Sequence, residues 1–175
     1  DGAKPTKFDP EYVDSYELGI KTKLLNNTLQ INASVYFYEY SDLQFVYFDN
    51  GSSLVDNLGE AEGTGAEFDI RYLPNEHWDL FFTLSLQDTE ITDDSDVAGV
   101  ACAESGCAGN ALPFAPEVNT ALLATYSLPM KNGNTFFTVE HFYQDKQFSD
   151  LDAIDNIAQD AYDVMNLRAG YESTD

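Results

Sequence analysis

The feature that most constrains this chain is a period-two alternation of apolar and polar residues, recurring in segment after segment while helical periodicity is nearly absent. In Thr28–Tyr40, Leu29, Ile31, Ala33, Val35 and Phe37 share one face, and Gln30, Asn32, Ser34, Tyr36 and Tyr38 share the other. Residues that alternate in this way lie on opposite sides of a pleated strand. Ser15–Leu25 repeats the split, with Tyr16, Leu18, Ile20 and Leu24 opposite Glu17, Gly19, Lys21 and Lys23. Ala66, Phe68, Ile70 and Tyr72 oppose Glu67, Asp69 and Arg71, and Trp78, Leu80, Phe82, Leu84 and Leu86 oppose Asp79, Thr83, Ser85 and Gln87. Val118–Ser127, Thr135–Gln144 and Tyr162–Tyr171 read as three further strands whose alternation is blurred.

The connections carry a second signal. Asn26-Asn27, Pro74–His77 and Pro129–Asn134 are short links, and Ser41–Thr64, Asp88–Pro116 and Asp145–Asp160 are long ones, in strict alternation. An up-and-down sheet gives this order when all its long loops emerge on one side. Strands of about ten residues, one greasy face, short turns on one rim and long loops on the other are the signature of a bacterial outer-membrane β-barrel. In hydrocarbon every backbone N–H and C=O must be paired inside the protein, and strands achieve this only by closing into a barrel. The predicted fold is therefore all-β: an antiparallel up-and-down transmembrane β-barrel, of which this chain supplies about seven strands. Leu29, Ile31, Val35 and Phe37 are expected to face lipid, with Tyr16, Tyr72, Trp78 and Tyr126 at headgroup level. The short links are expected on the periplasmic rim and Asp88–Pro116 outside, with a raised hairpin formed by Leu43–Phe48, Asn50-Gly51 and Ser53–Val55.

Charge narrows the function classes. Eight Lys and Arg against 31 Asp and Glu give a net charge of −23, which would repel a polyanion and excludes nucleic acid as a partner. Twelve Phe and 11 Tyr in regular patterns exclude a disordered acidic chain. The acids gather in the long loops: Asp88–Gly109 holds six with no Lys or Arg, and Asp145–Asp163 holds six Asp against Lys146 alone. Carboxylates in Thr92–Asp96 could ligate Ca²⁺ or bridge surface lipid through divalent ions, but the Gly and terminal Glu of an EF-hand loop are missing, and a solvated loop is the plainer reading. Cys102 and Cys107, with the distant His77 and His141, do not have the spacing of a zinc site. A Cys102–Cys107 loop disulfide in an oxidising compartment fits better, since Gly106 can take the positive φ a tight closure needs. No Ser-His or Cys-His pair carries a catalytic signature, and neither an enzyme nor a cofactor is expected.

Several motifs then resemble one family. Phe8-Asp9-Pro10-Glu11 followed by Ser15–Thr22 looks like the PE…SYELGxK segment of TonB-dependent outer-membrane receptors. Asn32–Gln44, ending Tyr40-Ser41-Asp42-Leu43-Gln44, is similar to the family's NxxxFxxxYxDLQ strand, and Asn57–Ala61 with Gly65-Ala66-Glu67 to its NxGxAxxxGxE pattern. Leu112–Pro116 and Val164–Tyr171 resemble the LPxAP and VNLRxGYE segments. The resemblance implies a transporter barrel of about 22 strands with a plug in its lumen. Such a receptor lies in the cell outer membrane among lipid bilayer and lipopolysaccharide, and draws energy through the TonB complex. It would import a scarce large solute, with a ferric siderophore as the default and cobalamin or an oligosaccharide as further candidates. Nothing in residues 1–175 resembles the plug domain, and the chain is read as an internal piece of the barrel's C-terminal half.

On this register Glu17, Glu67, Asp69 and Arg71 point into the lumen, where they could contact solute or plug or simply pair within a hydrated wall. Tyr36, Tyr38, Tyr40, Phe45, Tyr47 and Phe48 could contact solute near the loop tips or pack between neighbouring strands. Asn57, Gly59 and Gly65 read as turn and bulge residues, the glycines supplying positive φ. Two other architectures compete: a complete eight-stranded outer-membrane barrel, which needs one more strand, and a secreted β-sandwich adhesin, whose apolar faces would have to bury one another.

Overall fold

The computed structural model describes residues 7–49, 52–94 and 106–174. Among these, β1 (Tyr12–Leu24), β2 (Leu29–Ser41), β5 (Glu60–Asn75), β6 (Trp78–Asp93), β7 (Val118–Met130), β8 (Gly133–Gln144) and β9 (Tyr162–Ser173) form one sheet in the order β1-β2-β5-β6-β7-β8-β9. Every neighbouring pair is antiparallel. A separate hairpin pairs β3 (Gln44–Asp49) with β4 (Ser52–Asn57), where the raised hairpin was expected; the Asn50-Gly51 turn lies outside the described residues. The regular helical structure described is one 3₁₀ turn, Asp155–Ile157. No described helix is long and apolar enough to cross a membrane.

The seven segments legible in the sequence are the seven strands of the sheet, but the strands are longer than expected. β5 runs through Pro74 to Asn75 and β7 through Pro129 to Met130, so two of the short links shrink to Glu76-His77 and Lys131-Asn132, while the first widens from Asn26-Asn27 to residues 25–28. Proline is tolerated at a strand terminus, where at most one ladder bond is lost. At the other rim β6 continues to Asp93, taking the first residues of the expected long loop into the sheet.

The register assembles the alternating residues into rows. One face carries Leu24, Leu29, Tyr72, Leu80, Ala124, Val139 and Leu167 side by side across seven strands. Two residues further along, Leu122 neighbours Phe82 and His141 in the parallel row. This face is bare: Leu18 is 76% and Leu167 77% exposed. A contiguous apolar face of this size marks contact with another apolar phase, and for a barrel wall that phase is lipid. At the rim with short links Trp78 and Tyr126 are cross-strand partners with ring centroids 5.0 Å apart, a pair suited to the membrane interface. At the other rim the same face changes character, beginning with Asp88 on β6 opposite Thr64. Asp14, Glu39, Glu62 and Glu90 are successive cross-strand neighbours. Like charges directly opposite one another disfavour pairing and are tolerable only in a high dielectric. The row therefore lies above the hydrocarbon and marks its upper limit.

The blurred alternation of β7–β9 has a structural cause. On the opposite, polar face, Thr83, Ala121, Phe142 and Val164 form one row, and Phe81, Leu123, Glu140 and Asn166 another. Apolar residues on both faces erase the period-two signal.

Two glycines on that polar face are set by contact rather than by φ. Gly65 faces Tyr36 and Gly63 faces Tyr38 across β2 and β5. A Cβ on Gly65 would lie 2.3 Å from Tyr36 Cζ, and one on Gly63 2.4 Å from Tyr38 Cζ. The tyrosine rings lie flat across the glycines, so the expectation of positive φ at Gly65 is corrected. Gly59 does have positive φ, +127°, where β4 hands over to β5.

The buried core sits at the long-loop end of the sheet, where β6 contributes Ile91, and not across its middle. Leu58, Ile91 and Cys107 are fully buried, packed by Leu43, Phe45, Leu112 and Leu151. A wall one sheet thick, wet on one side and in lipid on the other, has no interior of its own.

Two outcomes follow in the full-length barrel. Ile31→Arg near the midplane should cost about 2–4 kcal/mol of barrel stability and Asn32→Arg on the polar face much less, measured by denaturant titration in lipid. Equal costs would overturn the assignment of faces. Gly65→Ala should destabilise by about 1–3 kcal/mol by displacing the Tyr36 ring. Adding Tyr36→Ala should then cost less than its effect in the parent, since the clash is already gone.

Candidate functional site

The polar face is the candidate site, because in a closed barrel it lines the lumen. The row Gly19, Ser34, Glu67, Ser85, Asn119, Gln144 and Tyr162 crosses it from β1 to β9. Three of the expected lumen residues come together here: Glu17, Glu67 and Asp69 line a pocket of about 190 Å³ with Lys21. Glu67 and Asp69 also border an open cleft of about 650 Å³, with Ser85, Asn119, Gln144 and Tyr162 on its other sides. Neither carboxylate has an ion-pair partner within 4.0 Å among the described residues.

Arg71 stands apart from them. Its Nε donates to Asp79 Oδ1 at 3.0 Å and its Nη2 to Asp79 Oδ2 at 2.7 Å, a bidentate fork that absorbs its charge. Arg168 likewise meets Glu140 at 3.2 Å, and the Thr125 and Thr138 hydroxyls bond to each other at 3.0 Å. In the half of the wall near the short links, the charges of Arg71 and Arg168 are thus met within the wall. The acids Glu17, Glu67 and Asp69 lie further toward the long loops.

Tyr36, Tyr38 and Tyr40 climb the same face toward the mouth. Tyr36 and Tyr38 are stacked with centroids 6.1 Å apart, and Tyr38 meets Tyr40 edge-on at 5.5 Å. Tyr36 and Tyr38 pack between neighbouring strands, each against the glycine opposite it on β5. Phe45 is drawn into the loop core. Tyr47 is placed opposite Leu54 in the hairpin, and its side chain lies outside the described residues, as does that of Phe48.

The sequence reading missed how the mouth is fastened. Asn57, only 8% exposed, accepts the Asp9 N–H at Oδ1 (2.7 Å) and donates through Nδ2 to the carbonyls of Asp9 (3.0 Å) and Asp42 (2.6 Å). Gln44 adds its backbone N–H to Glu11 Oε2 at 3.0 Å and its Nε2 to the Asp9 carbonyl at 3.1 Å. The signal was present: the Phe8–Glu11, Asp42–Gln44 and Asn57–Gly59 motifs are far apart in sequence, and this cluster is where they meet.

The other loops dock on the same end. The Ile91 N–H donates to the Asn110 carbonyl at 2.9 Å and Gly109 N–H returns to the Ile91 carbonyl at 2.8 Å, prolonging the ladder of β6. Asp94 accepts the backbone N–H groups of Cys107 and Ala108. That role occupies a carboxylate of the acidic run Thr92–Asp96, whose last two residues lie outside the described set. Among the described residues no cluster of three or more His, Cys, Asp or Glu could hold a metal ion. Cys107 is disulfide-bonded; Cys102 lies outside the described residues.

Comparison with known proteins agrees with this geometry. Residues 2–174 match the family described as TonB dependent receptor-like, beta-barrel. A pesticin receptor of Yersinia enterocolitica is 25% identical over 181 residues, covering 99% of this chain and 24% of the receptor. The chain thus spans about a quarter of the length of that relative. The crystal structure of the ferric yersiniabactin uptake receptor FyuA from Yersinia pestis superposes with a TM-score of 0.76 at 20% identity, over 95% of this chain and 23% of that one. The siderophore receptor PiuA from Acinetobacter baumannii gives 0.72 at 22% identity, over 93% of this chain and 22% of that one. The chain belongs to the TonB-dependent receptor-like β-barrel family, and its seven-stranded sheet is part of such a barrel's wall.

Proposed function

We propose that this chain is wall and outer mouth of an outer-membrane receptor that imports a scarce large solute, a ferric siderophore by default, with energy drawn through TonB. The observation that carries the reading is the family match across residues 2–174, whose relatives include proteins named as pesticin and siderophore receptors. The wall's chemistry is compatible with it. Its outer face is largely apolar, and its inner face carries Glu17, Glu67, Asp69, Ser85, Asn119 and Gln144. In this reading the short links face the periplasm, the long loops face outward, and the outward carboxylates from Asp14 to Glu90 stand at the level of lipopolysaccharide headgroups. The plug belongs to a part of the receptor outside residues 1–175. Glu17, Glu67 and Asp69 line the path of solute or plug, with Tyr36 and Tyr38 above them and Tyr47 in the raised hairpin, while Arg71 serves the wall through Asp79.

Radiolabelled iron uptake by iron-starved cells, with the complete gene as the only receptor, tests the reading. Uptake of a ferric siderophore should be saturable and lost on deletion of TonB or addition of a protonophore. Passive, unsaturable permeation that ignores both treatments would contradict it, and saturable uptake of cobalamin or an oligosaccharide instead would replace the solute but keep the mechanism. Asp69→Asn should raise the half-saturation concentration by about tenfold if one charge-assisted hydrogen bond to the solute is lost.

We further propose that Cys102 and Cys107 close a ring in the outer loop. Mass spectrometry of unreduced protein should find neither cysteine alkylated. On the chain-entropy model so small a ring restrains the unfolded loop by about 2 kcal/mol, enough to order a loop tip without deciding barrel stability.

A further inference from the structure

We propose that Asn57 is a positioning residue for the outer mouth: with Leu58 it locks three separate loops into one preassembled wall, so that solute meets a formed surface rather than loops that close independently. The inference goes beyond the import reading, since it concerns how the mouth is built whatever passes through it.

The β3–β4 hairpin is held at its two ends. Asn57 holds both: its amide group joins the segment before β1, through Asp9, to the corner between β2 and β3, through the Asp42 carbonyl. Three bonds converge on a nearly buried amide that water does not replace. Beside it the Leu43 N–H donates to the Gly59 carbonyl at 3.0 Å and the Leu58 N–H to the Leu43 carbonyl at 2.6 Å, so the base of the hairpin is closed on itself. The adjacent residue, Leu58, then points into the loop core. There it meets Ile91 from β6 and Cys107 from the 106–116 loop, with Leu112 and Leu151 packed around them. Leu151 belongs to the third loop, 145–161. That loop is tied to the second by Asn110 Nδ2 donating to the Leu151 carbonyl at 2.8 Å and by the Phe114 N–H donating to the Phe148 carbonyl at 2.8 Å.

Three loops widely separated in sequence therefore share one small buried core, with the Asn57 clasp holding the first of them and the Asn110–Leu151 and Phe114–Phe148 bonds joining the other two. Burial of Leu58 requires the hairpin base to be held where Asn57 holds it, and burial of Leu151 requires Leu58 to be in place. Motions of such elements are coupled, because opening one exposes the apolar side chains of the others. Asn57→Asp is the sharpest change. It keeps shape and volume but replaces the Nδ2 donor by an oxygen facing two carbonyl oxygens.

The test is amide hydrogen exchange on the full-length receptor in lipid, comparing parent with Asn57→Asp. Exchange should accelerate by about tenfold or more in the hairpin, and also in residues 107–112 and 148–153 of the two remote loops, with protection in β7 and β8 unchanged. In uptake assays the half-saturation concentration should rise by a similar factor of about ten while the maximal rate is kept. Leu151→Ala supplies the converse arm, and it carries the test by itself should Asn57→Asp not reach the membrane: a change in the third loop should accelerate exchange in the hairpin. Acceleration confined to the mutated loop would overturn the proposal, as would a fall in maximal rate with half-saturation unchanged. The exchange arm does not depend on the solute, so its failure is distinguishable from failure of the import reading.

Discussion

The backbone of a strand in hydrocarbon has nowhere to send its N–H and C=O groups except to a neighbouring strand, and everything else in this chain follows from that demand. It explains why seven successive segments pair antiparallel, each with the strand next to it in the sheet and with no crossover other than the excursion of the β3–β4 hairpin. It explains why the long loops can be irregular while the membrane-crossing residues cannot. It also explains the unusual distribution of burial. Side chains in the sheet look outward to lipid or inward to water, and the fully buried Leu58, Ile91 and Cys107 lie where loops fold over the end of the wall.

The same demand sharpens the electrostatics. On β1, β2 and β5 the outward face is free of charge from Leu24, Leu29 and Tyr72 upward until Asp14, Glu39 and Glu62 appear together, with Glu90 beside them on β6 and Asp88 one row below it. Four acids in register would be a poor choice for stabilising a sheet, and their position is intelligible as the point where strands leave the hydrocarbon for water. On the inward face charge is treated differently. Arg71 and Arg168 are paired within the wall, an arrangement worth only about 0–1 kcal/mol per pair when solvated, whereas Glu67 and Asp69 are left facing an open cleft.

Much of this was legible in the sequence because a strand's period is exact: Leu29 to Phe37 fix their face by position alone, and the alternation of short and long links sorts the links onto two rims. What stayed illegible has physical causes. In β7–β9 apolar residues stand on both faces, as Phe142 on the polar side and Val139 on the lipid side show, so periodicity cannot assign them. Gly65 looked like a turn residue because a glycine's freedom in φ is a local property, whereas its actual role, making room for the Tyr36 ring, depends on a cross-strand register. Glu17, Glu67 and Asp69 could be assigned a common side, but the pairing of Arg71 with Asp79 is a diagonal contact that requires knowing how β5 and β6 align. The Asn57 clasp was furthest from reach. Its partners sit in separate motifs, Asp9 in Phe8–Glu11 and Asp42 at the end of Asn32–Gln44, and only the folded chain brings Asp9, Asp42 and Asn57 together.

The central claim is that one face of this sheet is in lipid, the other is in water, and the boundary above is set by the carboxylate row. Nitroxide labels placed singly at residues 29–39 of β2 in the full-length receptor, in a bilayer, test it most directly through accessibility to oxygen and to a water-soluble nickel chelate. Residues 29, 31, 33, 35 and 37 should be accessible to oxygen and residues 30, 32, 34, 36 and 38 should not. Residue 39 should break the pattern by becoming accessible to nickel although it shares the lipid-side phase. Accessibility to nickel at every position, or a pattern of the opposite phase, would contradict the account.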